Sequence, residues 1–173
     1  MSASARASNW LFSVERHAFR AEKWICIVSL VAMLVGICFS VAVRYFNLHL
    51  PDAGEIAIYA MAPLTFVGAA MCTNTRPHIA GVNHQHVHRP WVRRTGRVVT
   101  ALAMIVFGAV YYWTALEFFQ TALSSGERGL DLGIPVAIPT FFFPLGMALV
   151  VLHAMAELIR TATNQPSVAE EHP

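Results

Sequence analysis

Apolar residues along this chain gather into four long runs, at 24–43, 56–72, 98–123 and 132–159, with short polar connections between them. Of the ten Asp and Glu and the twelve Lys and Arg, only Glu117 and Glu157 fall inside the runs. An α-helix rises about 1.5 Å per residue, so roughly 20 apolar residues cross the ~30 Å hydrocarbon core of a bilayer. The first run has that length without a charge, the second is near the lower limit, and the last two can tilt or enter the headgroups. Backbone in lipid has no water to bond, which makes such runs helices. The pattern predicts an all-α integral membrane protein, with four transmembrane helices in one membrane domain over 1–160. A cleaved signal peptide does not fit the first run, because 23 residues precede it and no A-x-A site follows at 39–47.

Basic residues orient the helices. Arg6, Arg16, Arg20 and Lys23 precede the first run, Arg76, Arg89, Arg93, Arg94 and Arg97 lie in the second connection, and Arg160 ends the fourth run. The other side carries Arg44 and Arg128 beside Asp52, Glu55, Glu127 and Asp131. Lys and Arg are retained on the cytoplasmic side, so both termini are expected there. Between 9 and 23, Leu11, Val14, Ala18 and Ala21 recur at helical spacing, with Glu15 and Glu22 off the stripe. This predicts a short interfacial amphipathic helix lying on the inner membrane surface. The tail, 161–173, is polar, contains Pro166 and ends in acids, so it is predicted to be disordered.

Composition sharpens what the chain is not. It is 56% apolar and 13% charged with a mean hydropathy of +0.52, whereas about a quarter of a soluble domain is charged. A water-soluble enzyme and a disordered chain are both excluded. The three cysteines include no CxxC pair and read as small core residues. No nucleotide loop, Ser/His/Asp set or HExxH helix is present, so no catalytic residue and no cofactor is expected, and nothing points to nucleic acid.

Several features remain as candidates. Ala32, Gly36 and Ser40 recur every four residues on the first helix, and Gly68 and Ala69 make a second small patch; such faces let helices approach closely in lipid, and both are candidates for subunit packing. Pro135, Pro139 and Pro144 open the fourth run, where Pro144 removes an interior hydrogen bond and predicts a kink near Thr140. Glu117 is placed near the outer headgroups, and His153, Glu157 and Arg160 form a local charged cluster at the inner end of helix four. Asp52 and Glu55 form a capping-box-like start to helix two, with Arg44 a candidate partner for Glu55. His84, His86 and His88 alternate and are candidate zinc or copper ligands, but no Cys or carboxylate between 73 and 97 completes a site, so no metal is assigned. Their loop instead fits docking on anionic lipid headgroups, with Trp24, His78, Trp91, Arg93 and Arg94 at the cytoplasmic interface. A haem-binding electron-transfer subunit is an alternative class, but it needs two facing histidines in the membrane. Only His153 lies inside a run, with His49 in an outer connection.

Three stretches carry a family resemblance: Arg44-Tyr45-Phe46 through Pro51-Asp52-Ala53-Gly54-Glu55-Ile56; Phe66-Val67-Gly68-Ala69-Ala70 through Arg76-Pro77-His78-Ile79; and Leu132-Gly133-Ile134-Pro135 through Ile138-Pro139 and Pro144-Leu145-Gly146. Over about 24–160 the chain resembles the small membrane subunit, DctQ type, of tripartite ATP-independent periplasmic (TRAP) transporters. One departure is the Trp that the family usually has just before the Glu; here Leu50-Pro51-Asp52 stands instead. The resemblance implies a non-catalytic scaffold in the bacterial inner membrane. It also implies a large DctM-type subunit that moves an organic acid or similar solute on a sodium gradient, and a periplasmic binding protein that delivers it. Arg44, Asp52, Glu55 and Asp131 then belong to outer loops that shape the fold or touch the binding protein.

Overall fold

A computed structural model describes residues 3–50, 53–84 and 90–163, with the backbone alone for 3–14, 74–84, 90, 92–93 and 162–163. Four helices follow one another: α1 (Ala3–Tyr45), α2 (Gly54–His84), α3 (Pro90–Ser125) and α4 (Ala137–Thr163). Each contains a segment long and apolar enough to cross a membrane, at Glu15–Tyr45, Gly54–Thr73, Arg94–Ser125 and Ala137–Thr161. Among the described residues there is no strand, only an isolated antiparallel bridge between Arg128 and Pro135. Residues 164–173, most of the expected disordered tail, lie outside the described residues.

The helices outrun or fall short of the apolar runs, and three of these differences bear on the sites. No Gly or Pro interrupts the chain between Ala3 and Val35, so α1 is one continuous helix and 9–23 is its extension, not a separate surface helix. Glu15 and Glu22, which lie off the apolar stripe, are nonetheless buried, at 3% and 1% exposure. Second, α2 continues past Cys72 to His84, which puts His78 on its backbone. Third, α4 starts at Ala137 and not at Leu132. Gly133 adopts φ +64°, a conformation glycine takes without penalty, and the chain turns there. Gly129 N donates to Ile134 O at 2.9 Å and Val136 N to Glu127 O at 3.0 Å, which closes the connection before the helix begins. Pro135 thus precedes α4, Pro139 lies in its first turn, where a missing donor costs nothing, and Pro144 lies inside. The Thr140 hydroxyl bonds back to Val136 O and Ala137 O one turn before that interruption.

α1 packs on α2, α2 on α4 and α4 on α3, while α1 and α4 meet over a smaller area. The helices therefore stand in a row, α1-α2-α4-α3, with α2 and α4 running parallel in the middle. The start of α1 and the end of α4 lie at the same end of the helices, called the terminal end below. The central contact is close: Phe66 and Phe143 stack with ring centroids 4.4 Å apart, and a β-carbon added to Gly146 would lie 2.6 Å from the Phe66 carbonyl oxygen. That neighbour is backbone, which no rotamer change can move aside. At Gly96, nothing lies within 4 Å of such an atom.

Gly146→Ala is expected to lower stability by about 1–3 kcal/mol through overpacking. Gly96→Ala should be neutral or stabilising by up to about 1 kcal/mol, because alanine is the better helix former. Unfolding of the purified variants in mixed micelles with increasing denaturing detergent measures both.

Candidate functional site

The charged groups with described side chains collect toward the two ends of the helices. At the end away from the termini, α1 stops where Asn47 takes the left-handed φ of 50°, with Leu48 N donating to Val43 O at 3.0 Å. An open recess of about 630 Å³ lies there, lined by Ser40, Val43, Arg44, Asn47, Leu48 and His49. The chain then enters α2 at Gly54, which places Glu55 in the first turn, where a negative charge complements the helix dipole.

Glu55 is the centre of this end. Its Oε1 accepts from the Tyr59 hydroxyl at 2.7 Å, and its Oε2 accepts from the backbone N–H of Leu132 at 2.6 Å and of Asp131 at 3.2 Å. The Tyr59 hydroxyl also lies 3.2 Å from Ile134 O, but its single proton serves the shorter contact. One carboxylate thus fastens the α3–α4 connection to the start of α2, between residues more than 70 positions apart. Gly129 is part of the same joint, because a β-carbon there would overlap the Glu55 carboxylate. The expected pairing of Glu55 with Arg44 is not formed: the carboxylate faces the connection, and Arg44 is exposed on the last turn of α1. Asp131 contributes its backbone N–H. Asp52 lies outside the described residues.

At the terminal end, His153 and Arg160 of α4 meet Glu22 and Glu15 of α1. His153 Nε2 is 2.7 Å from Glu22 Oε1, His153 Nδ1 is 3.8 Å from Glu15 Oε1, and Arg160 bonds the other oxygen of Glu15. The expected charged cluster local to helix four is therefore half of an inter-helix one. A usable signal was the spacing: 15 and 22 are seven apart, as are 153 and 160, so two acids on one helix match two bases on another.

The other sequence candidates divide between the helices. Gly36 serves contact within the chain, since a β-carbon there would lie 3.2 Å from Ala53 O and 3.3 Å from Ala57 N of α2. Gly68 faces Cys26 Sγ of α1 at 3.9 Å, Ala32 and Ser40 are half-buried, and Ala69 is exposed. Trp24 and Trp91 are 67% and 76% exposed near the terminal end, with Arg94 exposed beside Trp91. Trp113 Nε1 donates to Glu117 on the exposed face of α3 at 3.0 Å. His78, His84 and Arg93 have no described side chain, and His86 and His88 lie outside the described residues.

Compared with known proteins, residues 33–164 match the family model of the DctQ component of tripartite ATP-independent periplasmic transporters. No curated protein and no solved structure matches the chain.

Glu55→Ala should release the α3–α4 connection. With both charge-assisted hydrogen bonds to the carboxylate gone, amide exchange at Asp131 and Leu132 should accelerate roughly 10- to 100-fold. Tyr59→Phe, which leaves both backbone bonds in place, should change that exchange by less than about tenfold. Hydrogen-exchange mass spectrometry over 126–136 reads the difference.

Proposed function

The chain belongs to the DctQ family of TRAP transporter components, and from that membership we propose that it is the scaffold subunit against which a large DctM-type subunit works. The observation that carries this is the family match, which runs from the middle of α1 to the end of α4. The family is a transporter component and not an enzyme.

The side chains support the reading. Glu55 and Tyr59 hold the loop at one end, and Glu15, Glu22, His153 and Arg160 hold the helices at the other. These groups are spent on the chain's own architecture. Meanwhile α1 turns a long apolar surface outward, including Val28, Val31, Leu34 and Val35 at 53–62% exposure. α3 does the same with Val106, Val110 and Trp113 at 61–68%. Surfaces of this kind suit lipid or another membrane protein, and association there proceeds by close packing more than by hydrophobic drive.

In the proposed complex the chain sits in the bacterial inner membrane with both termini in the cytoplasm. The large subunit couples uptake of an organic acid or similar solute to the sodium gradient. The periplasmic binding protein delivers that solute, docking in part on the end formed by Arg44, Glu55 and Asp131.

Purification of the tagged chain from its native membranes should bring down a much larger polytopic protein in near-equal amount. Deletion of this chain should abolish sodium-dependent solute uptake, with recovery when it is supplied again. Undiminished uptake in the deletion strain overturns the proposal.

A further inference from the structure

The cluster at the terminal end contains two acids, Glu15 and Glu22, one guanidinium, Arg160, and one imidazole, His153. Side-chain exposure is 1% for His153, 1% for Glu22, 4% for Glu15 and 11% for Arg160. A carboxylate is acceptor-only, and a neutral imidazole has one N–H and one bare lone pair. Nε2 of His153 is hydrogen-bonded to Glu22 at 2.7 Å, and Nδ1, buried without a hydrogen-bond partner, has the Glu15 carboxylate as its neighbour at 3.8 Å. In either neutral tautomer, one lone pair would therefore point at an anion. Charge gives the same answer: with His153 neutral the quartet carries one uncompensated negative charge away from water, which is unfavourable. With a second ring proton the quartet is neutral.

We propose that His153 is held as a doubly protonated imidazolium between Glu22 and Glu15, and that this proton clasps the terminal part of α1 to α4. Elsewhere α1 rests mainly on α2, so the clasp closes the open row across the helix between them. On the packed helices, the buried or half-buried titratable or charged groups nearest the cluster are Cys26 of α1, Arg97 of α3 and Glu157 of α4 itself, while Arg16, His17, Arg20 and Lys23 of α1, Cys72 of α2 and Arg94 of α3 are exposed. Loss of the ring proton at rising pH leaves Glu15 and Glu22 sharing one cation, Arg160, and loosens the hold of α4 on α1 to the Arg160–Glu15 pair. The clasp is a property of this chain, independent of the transport reading.

Nitrogen-15 NMR of the full chain in lipid bilayers, labelled at histidine, tests it. The His153 signal is identified by its loss in His153→Gln or, if that variant does not fold, by a protein with the other seven of the eight histidines changed to Gln. At pH 7.5 an ordinary histidine has lost about nine-tenths of its second proton. His153 should still show two protonated ring nitrogens; one bare nitrogen at that pH overturns the proposal, including the case in which Glu22 holds the proton. Spin labels at exposed positions 16 and 155 should give one narrow distance at pH 7.5 that broadens as the ring deprotonates. A distance unchanged through that deprotonation overturns the clasp.

Discussion

A carboxylate cannot stand bare against hydrocarbon, and the arrangement of these four helices follows from how three acids are answered. Glu55 is met by backbone N–H groups of the α3–α4 connection and by Tyr59. Glu15 and Glu22 are met by Arg160 and His153. Each set of contacts joins parts of the chain that are distant in sequence. Leaving a buried charge unpaired costs several kcal/mol, whereas sliding apolar helices past one another in lipid costs little, so these joints set the register that the apolar faces leave open. Close packing then fills in, as where Gly146 brings α4 against the Phe66 backbone.

The helices were legible in the sequence because lipid imposes a coarse rule: long runs without charge. Their ends were less legible. The fourth run reads as apolar from Leu132, yet Gly133 turns the chain and the helix begins at Ala137; hydropathy does not register a backbone angle. Glu15 and Glu22 were read only as lying off the apolar stripe, and an amphipathic stripe does not say what its polar side meets. Here that side meets two bases on α4, and a single helix's periodicity carries no knowledge of its neighbour.

The two ends show the same limit in different ways. Glu55 was recognisable as an acid at a helix start, but the nearest cation in sequence, Arg44, was the wrong partner. The right one was a pair of backbone N–H groups, which have no letter in the sequence. Gly36, read as a surface for another subunit, is occupied by α2. Small-residue spacing reports that something approaches closely and does not say whether it is the same chain. The family resemblance was legible because it rests on short motifs such as Leu132-Gly133-Ile134-Pro135, and the match over 33–164 spans all three of its stretches.

The row order α1-α2-α4-α3 has a further consequence. A closed square of four helices has nearly the same width in every direction of the membrane plane, so a neighbour attached to it can sit at any azimuth. A plank has a long axis and two broad sides. Whatever packs along a broad side is lined up with that axis, and rotation within the plane then drags the whole plank through the lipid. A neighbour packed along such a side would take its heading in the membrane plane from this chain.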